Sequence, residues 1–157
     1  MRFTAKSSLA ALAAMLLMAL AGPGTPPAAP LQSAMPQTTT GGPCDFTVAV
    51  SPASATITSG QSAGFRVDLQ NLGLEGRMIN VLISSVSPQT KYEPTLHQPA
   101  YDIWLPAKNG TGAAQIIASA SDKTVKTTYT ITVKTKDVTG GCGYGVTHYV
   151  TFMLTVT

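Results

Sequence analysis

One run, Ser51 to Leu69, limits what this chain can become more than any other part of it. Ala53, Ala55 and Ile57 alternate with polar neighbours, and Gly60 offers a turn. Phe65, Val67 and Leu69 then alternate with Arg66, Asp68 and Gln70. Successive side chains of an extended strand point to opposite faces, so this second stretch would bury one face and wet the other. Pro52 breaks the first stretch at an edge or bend, where a residue without an N–H to give the ladder is tolerated. The pattern predicts antiparallel strands packed as a sandwich, and it names no chemistry.

The same parity recurs along the chain. Phe46, Val48 and Val50, then Ile79, Val81 and Ile83, then Tyr101, Ile103 and Leu105 each mark one inward face. So do Tyr129, Ile131 and Val133, and the final run Val146, His148, Val150, Phe152, Leu154 and Val156. Ala113 to Ala118 forms another strand whose parity is ambiguous, because Ile116 and Ile117 adjoin. Ser87 to Pro99 looks irregular, while 106–112 and 140–145 supply Pro/Asn/Gly turns. Asp45 to Thr157 suits one sandwich of about 100 residues and is too short for two. The expected domain, 44–157, is all-β, with about seven strands.

The N-terminus reads as an address. Arg2 and Lys6 precede an apolar run from Leu9 to Leu20, and Ala19-Leu20-Ala21 offers a cleavage site before Gly22. That run is roughly 12 residues, where a membrane-spanning helix needs about 20. Residues 1–21 are therefore expected to be a signal peptide, placing the mature chain in the periplasm, at the cell surface or outside the cell. Residues 22–43, rich in Pro, Gly, Ala and Thr and without charge, read as a flexible, disordered stem. Arg2 and Lys6 carry two of the charges behind the formal net charge of +3, which leaves about +1 after export. Lysines are spread along the chain, with only a Lys134/Lys136 doublet, so a nucleic-acid partner is not expected.

No constellation for catalysis converges. His97 and His148 are the only histidines, and neither stands in a nucleophile or metalloprotease motif. Asp45, Asp68, Glu75, Glu93, Asp102, Asp122 and Asp137 are scattered singly. No enzyme activity, cofactor or metal is expected. Recognition would fall to aromatics. Trp104 lies on the outward parity beside Asp102, with Tyr144 at the hairpin tip and Tyr149 on the last strand as further candidate contacts. The competing reading covers Trp104 with the 86–100 segment. Tyr129 suits a structural corner whose hydroxyl bonds backbone.

Together, Ser51-Pro52, Thr56-Ile57-Thr58, Gly60-Gln61-Ser62-Ala63, Leu105-Pro106-Ala107-Lys108-Asn109-Gly110-Thr111, Thr128 to Val133 and Phe152 to Val156 carry a resemblance. The chain resembles the bacterial and archaeal immunoglobulin-like domains appended to secreted glycosidases, peptidases and cell-surface proteins. That resemblance implies an immunoglobulin-like fold and a non-catalytic spacer or adhesive role. In such a sandwich the chain start and the last hairpin share one end, so Cys44 and Cys142 would meet as a disulfide. A bridge to a second copy and a metal site stand as alternatives. The expected function is binding or scaffolding of a protein or polysaccharide at the cell exterior. Its rivals are a self-assembling filament or adhesin subunit using an edge left open by the last strand, and a carbohydrate-binding module stacking sugar on Trp104.

Overall fold

The inward parity read from the sequence is carried by nine strands. They are β1 (Phe46–Ser51), β2 (Ser54–Ile57), β3 (Ser62–Asn71), β4 (Arg77–Ser87), β5 (Thr95–His97), β6 (Asp102–Leu105), β7 (Thr111–Ser119), β8 (Thr128–Asp137) and β9 (Thr147–Val156). This computed structural model describes residues 42, 44–98, 101–140 and 145–157. The expected signal peptide, and all of the stem but Gly42, lie outside them. Four strands pair in the order β1-β3-β7-β5 and five in the order β2-β9-β8-β4-β6. Among the described residues there is no helix, hence none long and apolar enough to cross a membrane. The architecture is an immunoglobulin-like β-sandwich, as expected.

The core fills the space between the sheets. Phe65, Val67 and Leu69 of β3 and Ala114, Ile116 and Ala118 of β7 are buried on one side. Tyr129, Ile131 and Val133 of β8 and Val150, Phe152, Leu154 and Val156 of β9 are buried on the other. Phe65 and Phe152 stack across the gap with ring centroids 3.9 Å apart and planes 26° from parallel. Burying each such ring contributes about 1.5–3 kcal/mol. The parity of β7 is thereby settled: Ile116 faces the core, and Ile117 sits half-buried on the other face opposite Gly64.

Two short strands raise the count above seven. Across Pro52 the inward positions shift from even (Phe46, Val48, Val50) to odd (Ala55, Ile57), and the chain changes sheet: β1 pairs with β3, whereas β2 runs parallel to β9. A hydrophobic alternation specifies which face is buried, not which neighbour is paired. The other addition is β5, inside the stretch expected to be irregular, where Thr95, Leu96 and His97 pair with Ser119, Ala118 and Ile117. Tyr101 corrects another expectation. It is 56% exposed, because β6 begins only at Asp102 and Tyr101 contributes its carbonyl, 2.6 Å from the Val81 N–H, while its ring turns outward.

Tyr129 takes the corner position. Its hydroxyl donates to the Val125 carbonyl at 2.9 Å and lies 3.1 Å from Thr90 Oγ1, tying the start of β8 to the β4–β5 connection. At the opposite end of β8, Arg77 Nη1 donates to Asp137 Oδ2 at 3.0 Å and to the Cys44 carbonyl, with both ionic side chains almost fully buried. This pair ties the start of the domain to the base of the last hairpin.

Candidate functional site

The solvent face of the five-stranded sheet is built by the side chains that alternate with the core. On β8 these are Thr130, Thr132, Lys134 and Lys136, with Val138 just beyond the strand, and on β9 they are Thr147, Tyr149, Thr151 and Met153. On β4 they are Met78, Asn80 and Leu82, and on β6 they are Asp102 and Trp104. The register sorts them into rows. Tyr149, Lys134 and Leu82 stand side by side in one, and Thr147, Lys136, Asn80 and Asp102 in the next. Met78 and Trp104 oppose each other in a third, beside Val138, whose N–H donates to the Met78 carbonyl at 3.0 Å.

Trp104 is 55% exposed, so the 86–100 segment leaves it uncovered. Its benzo ring rests against Gly76 in the β3–β4 loop. A Cβ added at Gly76 would stand 2.4 Å from the Trp104 ring, so only glycine lets the indole lie down there. In the adjoining row Asn80 Nδ2 donates to Asp102 Oδ1 at 2.7 Å, holding the amide and carboxylate together on the surface. Tyr149, 49% exposed, stands beside Lys134 at the other end of the face. With strands about 4.8 Å apart and residues rising about 3.4 Å, Trp104 and Tyr149 lie roughly 20 Å apart on the diagonal. They share a face but not a single-ring pocket. Tyr144 and Cys142 lie outside the described residues.

The histidines separate. His97 is exposed on β5 of the four-stranded sheet, and His148 is on β9 of the other. His148 Nε2 lies 2.6 Å from Asp45 Oδ1, and its ring meets Phe46 edge-on, with centroids 4.7 Å apart. This places His148 in the seam where β1 passes β9, in a hydrogen-bonded structural role. Among the described residues no group of three or more His, Cys, Asp or Glu side chains is arranged to hold a metal ion. The opposite solvent face, on the four-stranded sheet, carries a shallow open depression of about 560 Å³ lined by Thr47, Ala49, Arg66, Asp68 and Ala113. There Arg66 Nε meets Asp68 Oδ1 at 2.6 Å, with both side chains largely in solvent.

Asn80 and the Arg77–Asp137 pair are functional and structural residues that the sequence reading above does not single out. The signal for the pair was available: Asp137 continues the inward series Tyr129, Ile131, Val133 and Thr135, and Arg77 precedes Ile79 and Val81 on the same parity. Opposite charges on two inward-facing positions predict a buried partnership, since an isolated buried charge is too costly.

No protein-family model matches this chain, and no curated protein does. Solved structures do. PapD-like domain 7 of human CEP192 is 13% identical, the match covering 70% of this chain and 83% of that one, with a TM-score of 0.46. The Escherichia coli chaperone DraB is 10% identical over 69% of this chain and 54% of its own length, with a TM-score of 0.49. AggA, the major subunit of aggregative adherence fimbriae type I from Escherichia coli, is 14% identical over 72% of this chain and 96% of its own, with a TM-score of 0.45. At such identities the likeness is one of architecture and extends to no ligand or partner.

Proposed function

We propose that this chain is an exported, non-catalytic immunoglobulin-like module that binds or scaffolds at the cell exterior through the solvent face of its five-stranded sheet. One observation carries the reading. Of the nine large apolar side chains exposed among the described residues, five (Leu82, Trp104, Val138, Tyr149 and Met153) lie on that face, and none lies on a strand of the other sheet. Single exposed hydrophobics are ordinary, but five on one face, interleaved with Lys134, Lys136, Asn80 and Asp102, support reading that face as an interaction surface. Export rests on the N-terminal Arg2/Lys6, apolar run and Ala-Leu-Ala pattern. The Cys44–Cys142 bridge belongs to the same proposal. It is supported by the Arg77 clamp, which ties Cys44 to Asp137 at the hairpin base, and by the lack of a free cysteine among the described residues.

Cell fractionation and intact-mass analysis of the tagged full-length chain test this reading. The expected product is extracytoplasmic, begins at Gly22 and gains two hydrogens on reduction. It is retained by envelope material, and Leu82→Glu with Tyr149→Ala releases it while Arg66→Ala with Asp68→Ala does not. A full-length chain held in the cytosol, or equal release by both pairs, would sink the proposal.

A second reading, self-assembly by strand addition, has one specific support. β2 pairs only with Met153–Val156 of β9, so Thr147–Phe152 has β8 as its sole ladder partner among the described residues. The open stretch is thus the first part of the last strand, β2 covering the remainder. An unpaired strand edge can accept another chain. Light scattering showing a monomer at every concentration would exclude it.

A further inference from the structure

We infer that the exposed face of the five-stranded sheet is a binding track for an anionic polysaccharide, one whose sugar rings carry carboxylates. The inference rests on the proposed role of that face and names its ligand. Three features of the surface converge on this chemistry.

The first is Trp104. Its indole is backed by Gly76 and open to solvent, which fixes its orientation before any ligand arrives. The electron-rich face of an aromatic ring attracts the weakly positive C–H groups that line one side of a pyranose. The second is the next row, where the Asn80 amide and the Asp102 carboxylate are already bonded to each other. The remaining amide proton and oxygen lone pairs of that pair are suited to ring hydroxyls, which both give and accept hydrogen bonds. The third is charge. Lys136 and Lys134 stand beside Asn80 and Leu82 on the central strand, and the only carboxylate in these rows, Asp102, is held by an amide rather than by a lysine. Two ammonium groups two residues apart on one strand would take successive carboxylates of a polymer through charge-assisted hydrogen bonds.

Tyr149 completes the track. It flanks Lys134 on the side away from Leu82 and provides a second aromatic at the far end of the diagonal. The span of roughly 20 Å suits several linked rings and exceeds one. Single-stranded nucleic acid is the competing polyanion, since it would meet the same two lysines and the same Asp102. The hydroxyl-suited Asn80–Asp102 pair favours the polysaccharide, and the DNA comparison separates the two.

The probe is polygalacturonate, with dextran and single-stranded DNA as comparisons, applied to the full mature chain in affinity electrophoresis and fluorescence titration. Trp104 is the only tryptophan, so its emission reports the site directly. Expected are retention by polygalacturonate with a change in Trp104 emission, and weakening as ionic strength rises past about 0.15 M, where the Debye length is about 8 Å. Trp104→Ala and the double variant Lys134→Gln/Lys136→Gln should each weaken retention about tenfold or more. Tyr92→Ala, an exposed aromatic away from this face, should leave it unchanged. A cooperative melt confirms that each variant is folded. Equal retention by dextran, stronger retention by DNA, or wild-type affinity in Trp104→Ala each overturns the inference. A chain that envelope material retains but polygalacturonate does not refutes the ligand while leaving the proposed function standing.

Discussion

Across β3 and β7 the solvent face carries Gly64, Arg66, Asp68, Ala113, Gln115 and the half-buried Ile117, whereas across β9, β8 and β4 it carries exposed Tyr149 and Leu82 among Lys134 and several threonines. The buried faces of the same strands are alike along their middles, ladders of Val, Ile, Leu, Phe, Ala and Tyr, with buried polar groups such as the Arg77–Asp137 pair at one end. Packing therefore accounts for one face of each sheet and is silent about the other. Small and polar side chains are the expected dress of a wetted sheet. Large apolar ones contribute little to folding when left in water, so their gathering on one side calls for a reason outside the fold.

The largest test of this contrast strikes the layer both sheets share. Phe152→Ala should lower stability by about 3–5 kcal/mol in urea unfolding, and Phe65→Ala should match it, because the two rings form one contact across the gap. Unequal losses would mean the sheets do not depend on a common core. Next come two carboxylates, one on each sheet. Asp137→Ala strands the Arg77 guanidinium in the interior and should cost about 3–5 kcal/mol. Asp68→Ala opens a pair whose side chains are 68% and 44% exposed, and should cost no more than about 1 kcal/mol. Similar costs would show that burial is not what separates them. Tyr129→Phe removes the corner hydroxyl and should cost about 1 kcal/mol. The smallest effect is the most pointed. Trp104→Ala and Tyr149→Ala should change the melting free energy by no more than about 0.5 kcal/mol, as Gln115→Ala should on the other side. A large loss on either aromatic would assign that face to stability and remove the reason for reading it as a contact surface.

Much of the sandwich was legible because strand parity is local. Phe65, Val67 and Leu69 announce their face within five residues, and Tyr129 to Val133 and Val150 to Val156 do the same. Pairing is not local. The shift of inward positions at Pro52 marks a break, but not that Phe46 to Ser51 joins β3, within about 25 positions, while Ser54 to Ile57 joins β9, about a hundred positions away. β5 escaped notice because three residues are too few to show a period. Of the candidate contacts, the outward direction of Trp104 and Tyr149 followed from parity. Gly76 beneath the indole, and Asn80 bonded to Asp102, did not, since they depend on how β4 and β6 are brought side by side.

The segment that begins in one sheet and finishes in the other has a bearing on motion. Residues 46–57 are stitched into both layers within a single short stretch of backbone. Neither layer can peel away while that stretch keeps both sets of ladder bonds. Slow amide exchange in β3 and in β8 should therefore converge on one opening free energy rather than two, and the domain should respond to strain as a single cooperative body.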